Sequence, residues 1–479
     1  MSKMYINGQL VEGKGDPIDV INPATGKVIA TFRGASEAQA EEALKAAQKA
    51  FKTWSYTSIN EKLGWLYKLR DNCLAKKEEI IDILAQETGK AYADNEGDFA
   101  RFISYFEYYG EEAKRIYDIG LPEYDGHRDI LCRVLRRPIG VVVGHLAWNV
   151  PMINLGAKLT PVMASGCTCV LKPSISTPLA SLKVAEIAAQ IGMPPGVFNM
   201  VSGPSGVIGK YLNESKIPAM VTCIGSTATG VEIMKQIATS IKKVSLELGG
   251  NAPCIIMPDA DLDAATTFVA NRKVAQTGQS CGCVNRIYVH SDVHDEFTNK
   301  LVEKVKAFKM GWGKDTPKLV GSLIDKKARE RLLALVKDGV DRGAKLLYGG
   351  SIPDLPEQFK DGAFMTPSIL DNVKDDMPVA VEELFGPVYP ILTFNDLDDV
   401  IARSNDTIYG LCSFLFAHDS RVIVKCMEQL QFGRVVVNAA PILGANLPHT
   451  GHKQSGIGTL FGTWSLDQYY SVKLVALKP

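Results

Sequence analysis

Between residues 138 and 248 short apolar runs alternate with longer amphipathic ones, and this alternation restricts the fold more than any other feature of the chain. Strands are predicted at 138–146, 167–172, 197–202, 220–225 and 243–248, with helices at 151–163, 178–191, 204–213 and 226–240. Strand–helix repetition at this spacing builds right-handed βαβ units into a parallel sheet that binds ligands at its carboxyl edge. No G-x-G-x-x-G follows the first of these strands. The nearest glycine groupings are Gly203/Gly206/Gly209 and G-S-T-A-T-G at 225–230, each a weak signal alone.

The flanks extend this plan. Residues 4–12 read as a hairpin turning at Asn7-Gly8, and 19–30 as strand, Pro/Gly turn, strand. Ser36 with Gln39 forms a capping box, and Ala40, Ala43, Ala47, Ala50 and Phe51 continue at helical spacing through Trp54. Helical patterns run on to about 118. A second α/β region spans about 247 to 430, with strands near 253–257, 286–290, 365–370 and 388–393. Two separated stretches, 129–136 and 471–477, alternate like strands. A chain of 479 residues should divide into two or three domains.

Charge excludes some partners. Lys plus Arg and Asp plus Glu both number 53, so the net charge is zero and nothing favours nucleic acid. No run approaches the roughly 18 apolar residues of a membrane span, and the N-terminus lacks the apolar core of a signal peptide. A cytoplasmic protein is expected. The ten cysteines are scattered rather than spaced as a disulfide framework, which suits reduced thiols. Cys167 and Cys169 share one face of a strand but lack a second Cys or His pair, so no metal site is expected.

Two runs carry chemistry. V-S-L-E-L-G-G ends at Gly250, and G-Q-S-C-G-C begins at Gly278. Each sets one capable side chain, Glu247 or Cys281, beside small residues that let another molecule approach backbone N–H groups. A lone Cys is usually a small buried apolar residue, and a Glu can simply end a strand. Together they suggest covalent catalysis in which Cys281 forms an acyl intermediate and Glu247 activates the water that releases it.

At this point the chain resembles the aldehyde dehydrogenase superfamily, whose pattern has Glu in E-L-G-G, Cys in G-Q-x-C 34 residues later, and Arg five residues beyond. Here 281 − 247 = 34, and Arg286 follows. The resemblance covers essentially the whole chain. It implies an α/β fold with a Rossmann-type cofactor domain over 1–246, an α/β catalytic domain over 247–432, and a return segment with a C-terminal strand over 433–479. Residues 120–138 and the tail would form a β oligomerisation arm, the tail pairing onto a neighbouring subunit in a homodimer or homotetramer.

The same resemblance assigns an NAD or NADP site. L-A-W-N-V-P supplies Leu146, Trp148 and Asn149, whose amide would hold an oxyanion. L-K-P-S supplies Lys172 and Ser174 for the adenosine ribose. Gly225 and Ser226 would meet the pyrophosphate at a helix N-terminus. Gly249 belongs to the E-L-G-G run, and E-E-L-F-G-P-V supplies Glu383 and Phe385 for the nicotinamide end. NAD-specific members commonly have Glu after K-P-S, where this chain has Ile175, so nothing there repels NADP.

The expected substrate is a small aldehyde, short and either hydroxylated or anionic. Ser280 flanks the Cys, and Asn154 and Ala157 stand where fatty-aldehyde enzymes carry bulk. The run L-P-H-T-G-H-K-Q-S-G resembles lactaldehyde and glycolaldehyde dehydrogenases, and its His449 would bond a hydroxyl beside the carbonyl. A surface histidine is the plainer reading. The alternative is a succinate-semialdehyde-type or sulfonated substrate, with Arg115 for the distal anion; the second Arg of that subfamily is Ala275 here. A thiol-dependent esterase and a non-catalytic relative are readings from other classes.

Overall fold

The computed structural model describes residues 3–122, 126, 129–314, 320–439 and 444–478. Parts of the expected arm (123–125 and 127–128) and of the return segment (440–443) lie outside these residues. The chain is mixed α/β and carries two large sheets. The first has eight strands in the order Gln9–Val11, Met4–Ile6, Phe198–Met200, Thr168–Lys172, Val141–His145, Pro218–Ile224, Lys243–Glu247 and Gly456–Ile457. Its central pairs are parallel, as the alternation predicted. Val141, Val142, Val143, Cys169, Val170 and Leu171 are buried, because helices cover both faces.

The second sheet orders Lys345–Tyr348, Ser368–Asp371, Val388–Phe394, Val284–His290, Ala252–Ile256, Ser413–Phe416 and Val435–Val437. Its last strand extends beyond residue 432. The strands at 345–348, 413–416 and 435–437 were not among those predicted. Ser36 caps the helix Glu37–Trp54 through the expected reciprocal box with Gln39. Asn7 and Gly8 both take positive φ, 50° and 82°, which the two-residue hairpin turn requires. The predicted helix at 204–213 is a π turn, Ser205–Gly209, running into a short helix, Lys210–Glu214.

The tail Tyr470–Leu477 pairs antiparallel along its full length with Leu131–Pro138 of its own chain, and Ile119–Leu121 completes a three-stranded arm. The two stretches expected to form the arm are thus joined within the chain. The tail is the edge of this sheet, with Val472 and Leu474 exposed at 73% and 62%. Among the described residues no helix is long and apolar enough to cross a membrane.

Candidate active site

Glu247 and Cys281 meet because the chain passes between the two sheets there. Glu247 ends the strand Lys243–Glu247 of the first sheet, and Ala252–Ile256 opens the second five residues later. The intervening Gly250 must be small: a Cβ there would lie 2.3 Å from the carbonyl oxygen of Cys281. That packing sets the two backbone segments against each other. The Cys281 loop is held under tension, since Gln276, Thr277 and Gly278 have φ of 54°, 55° and 72°. Two non-glycine residues in the left-handed region cost energy that surrounding bonds must offset. Gln276 N–H donates to Asp94 at 2.9 Å, and the buried Gln279 side chain accepts from Ile324 N–H at 2.9 Å.

His449 completes a trio. The strands His449–Thr450 and Thr459–Leu460 form a small hairpin, and Gly456–Ile457 pairs antiparallel with Leu246 and Glu247. The register delivers the imidazole to the carboxylate, with His449 Nε2 and Glu247 Oε1 at 3.1 Å. One ligand-type atom from each of Glu247, Cys281 and His449 lies within 4.8 Å of the others. Such a thiol, imidazole and carboxylate set would also suit a zinc-like ion. His449 Nδ1 is buried with no partner among the described residues. Its ring stacks on Phe461, which stacks on Tyr105.

Burial pushes the Cys281 thiol pKa well up, and the adjacent Glu247 charge pushes it further. Asn149 is buried beside it. Its Nδ2 donates to the Gln279 carbonyl at 3.1 Å, and Lys90 Nζ donates to its main-chain oxygen at 2.8 Å. Asn154 bonds the Ala147 carbonyl at 2.9 Å and approaches Asn149 Oδ1 at 3.5 Å. Asn154 therefore braces the Asn149 loop.

A cleft of about 620 Å³ opens along the carboxyl edge of the first sheet. It is lined by Leu146, Trp148, Asn149, Lys172, Ser174, Gly225, Ser226, Glu247, Gly249, Cys281, Glu383 and Phe385. Twelve residues singled out in the sequence thus share one cavity, of a volume that suits a small-molecule cofactor. Ser226 caps the helix Thr227–Ile237, whose first turn faces the cleft. Lys172 Nζ reaches Ser205 at 3.1 Å, and burial lowers its pKa to about 8. Glu383 accepts from Gly250 N–H at 2.8 Å, and burial raises its carboxyl to about 7. Trp148 and Phe385 meet edge to face at 5.3 Å.

Other calls fall elsewhere. Ile175, 37% exposed, lines an adjoining groove with Ile18 and Lys326 instead of the cleft. Arg115 is exposed at a helix end and paired with Glu112 at 3.0 Å, outside the cleft lining. Ser280 Oγ accepts from Arg272 at 3.3 Å, so it is tied to the loop. Arg286 is a buried brace that donates to the carbonyls of Asn251 and Ser404 at 3.1 and 2.8 Å.

Sequence reasoning missed Lys90, Asp94 and Arg272, which brace the site and belong to no chemical motif, and it left Gln279 of the G-Q-S-C run without a role. It also missed His145 at the cleft wall. Burial lowers that imidazole to about 4, so it is neutral at pH 7. Lys158, likewise missed, is buried on Thr222 at 2.5 Å with its pKa lowered to about 8.

Comparison with known proteins agrees with this architecture. The aldehyde dehydrogenase family model matches residues 10–475. A glutarate-semialdehyde dehydrogenase of Pseudomonas aeruginosa is 37% identical over 474 residues, covering 99% of this chain and 97% of the relative. The NADP(+)-dependent succinate-semialdehyde dehydrogenase GabD of Escherichia coli is 35% identical, covering 98% and 97%. The crystal structure of lactaldehyde dehydrogenase from Escherichia coli superposes with a TM-score of 0.95 at 34% identity, covering 100% and 99%. Two-sheet fold, paired Glu and Cys, and whole-chain similarity converge: the chain belongs to the aldehyde dehydrogenase family, oxidoreductases that use NAD or NADP.

Proposed function

We propose that this enzyme oxidises a short aldehyde bearing a hydroxyl beside the carbonyl, of the lactaldehyde or glycolaldehyde type, to its carboxylate. The observation that carries the reading is the buried, unpartnered Nδ1 of His449. With Nε2–H donating to Glu247, Nδ1 presents a lone pair that a substrate hydroxyl can satisfy. A buried acceptor left empty costs about 1–3 kcal/mol, which the correct substrate would relieve and a simple alkyl aldehyde would not.

Cys281, as thiolate, attacks the carbonyl carbon, and the Asn149 amide and the Cys281 N–H stabilise the oxyanion. Residues Lys172, Ser174, Gly225, Ser226, Gly249, Glu383 and Phe385 would hold the dinucleotide, with Leu146 and Trp148 along its wall. When bound, its nicotinamide supplies the hydride acceptor. Collapse of the oxyanion leaves a thioester on Cys281. Glu247 takes a proton from water, the hydroxide adds to the thioester, and the carboxylate leaves as the Cys281 thiolate is restored.

A second reading has its own support. Relatives named for glutarate and succinate semialdehyde act on substrates with a distal carboxylate. The arm, with its apolar edge strand, supports assembly into a homodimer or homotetramer. The ten free cysteines suit a reducing cytoplasmic setting. The deciding experiment is a panel of lactaldehyde, glycolaldehyde, propionaldehyde and succinate semialdehyde, each with NAD and NADP. The hydroxyl reading expects lactaldehyde to exceed propionaldehyde in kcat/KM by at least tenfold, and equal values would overturn it.

A further inference from the structure

Cys281, Glu247 and His449 bring sulfur, oxygen and nitrogen donors to one place, with one such atom from each within 4.8 Å of the others. His449 Nε2 and Glu247 Oε1 are already 3.1 Å apart. Donors bound tetrahedrally to zinc at about 2.0–2.3 Å stand roughly 3.3–3.7 Å from one another, so the trio could close on an ion with small side-chain movements. Cys281 and Glu247 line the cleft, which gives an ion from solvent a way in. The stack on Phe461 holds the third donor, the His449 ring, in its place.

Charge and tautomer both favour a cation there. Glu247 is buried, and among the described residues its ion-pair partner is His449, with no lysine or arginine. A thiolate and a carboxylate side by side repel, whereas a divalent cation between them leaves a neutral site. A neutral imidazole binds a metal through one nitrogen and keeps its proton on the other. Nδ1 of His449 has no partner among the described residues, so nothing pins the ring proton to Nε2. With the proton on Nδ1, the Nε2 lone pair is free for a metal that replaces the proton shared with Glu247. Thiolate and imidazole select zinc-like ions over magnesium or calcium, which take oxygen ligands.

We propose that Cys281, His449 and Glu247 bind one zinc-like divalent cation, and that its binding reversibly inhibits the enzyme. The sulfur–metal bond forms as the thiol proton leaves to solvent, while the imidazole and the carboxylate each give a lone pair. Nothing is oxidised or reduced. Cys281 is then withheld from the carbonyl carbon, and Glu247 from the water of deacylation. Binding requires no choice of aldehyde; inhibition rests on the reading that Cys281 and Glu247 carry the reaction.

The first test needs no turnover. The full chain, freed of metal with a chelator, is dialysed against zinc chloride and, separately, cobalt chloride. Zinc should bind at one ion per chain, and cobalt should give the near-ultraviolet charge-transfer band of a thiolate ligand. Cys281→Ser should lose that band, whereas Cys132→Ser, at the other half-buried cysteine, should keep it. Loss of a second-shell partner costs a metal site about 10–100-fold in affinity, so His449→Phe and Glu247→Gln, which remove ligands, should each weaken zinc by at least about tenfold. His449→Gln replaces His449→Phe if circular dichroism shows the latter misfolded. A band that survives Cys281→Ser, or equal zinc affinity in wild type and both ligand variants, would make the ion adventitious and overturn the site.

The second test reads the consequence. Zinc should slow alkylation of wild-type Cys281 by iodoacetamide and inhibit oxidation of whichever aldehyde the enzyme accepts, and a chelator should reverse both. Magnesium at the same concentration should do neither. Alkylation unaffected by zinc would overturn the site, and full activity with zinc bound would overturn the inhibition. A metal-free enzyme that oxidises no aldehyde yet shows the cobalt band and the protection would instead count against the proposed reaction.

Discussion

His449 Nε2 lies 3.1 Å from Glu247 Oε1, joining two residues 202 positions apart in sequence. The contact ties the base to the segment that closes the first sheet, and both groups lie beside the Cys281 thiol. A carboxylate so placed has two opposing effects. It is positioned to take a proton from water, yet its charge disfavours the thiolate that must form first.

That opposition gives the first prediction. Glu247→Gln should keep a single-turnover burst of reduced cofactor and lose steady-state turnover, because only deacylation needs the base. The variant should also titrate its thiol at lower pH than wild type. Burial is the larger cause of the raised thiol pKa and remains, but the neighbouring charge is gone. The thiolate fraction at pH 7 therefore rises, and iodoacetamide should label Cys281 faster in the variant. Slower labelling, or no burst, would contradict this division of labour; Cys281→Ala should abolish both signals.

His449→Phe keeps a ring to stack on Phe461 while removing the Nδ1 acceptor. It should lower the lactaldehyde-to-propionaldehyde ratio of kcat/KM by roughly tenfold, the worth of about one well-made hydrogen bond to a buried group. Loss of activity toward both aldehydes alike would make the imidazole a partner of Glu247 and nothing more.

The first sheet was legible because burial on both faces makes its strands continuous apolar runs, and the intervening helices carry a period of their own. Glu247 and Cys281 were legible because their glycine neighbours advertise close approach. His449 was only half legible: its residue type was visible, but its contact depends on Gly456–Ile457 pairing with Leu246 and Glu247 of a strand far away in sequence. Arg272 was silent, since it sits in no motif and its hold on the Cys281 loop is a tertiary product. Ile175 shows the reverse case. It occupies a position that a neighbouring motif marks, yet its side chain faces another groove.

The arm makes a separate prediction. Its edge strand leaves Val472 and Leu474 on one face, exposed at 73% and 62%, with an unpaired backbone row alongside. An exposed apolar edge of this length favours association with another chain. The double substitution Val472→Asp, Leu474→Asp should shift the sedimentation coefficient toward a smaller species without changing the monomer's far-UV circular dichroism. An unchanged sedimentation profile would remove the arm from the interface.

Lys172 links cofactor affinity to pH. Its amine pKa is lowered to about 8, mainly by burial, so it is charged below that pH and neutral above. It faces the cleft among the residues proposed to hold the adenosine end. A bound phosphate stabilises the ammonium, so binding above pH 8 must take up a proton, and affinity must fall as pH rises through that value. The effect should be steeper for NADP than for NAD, because the 2′-phosphate adds negative charge near the ribose. Fluorescence titration from pH 7 to 9 should show NADP binding weakening by up to about tenfold per unit above the free pKa. Lys172→Met should bind NADP weakly at pH 7 and lose the slope. A wild-type slope retained in Lys172→Met would assign the titration to another group and take Lys172 out of phosphate recognition.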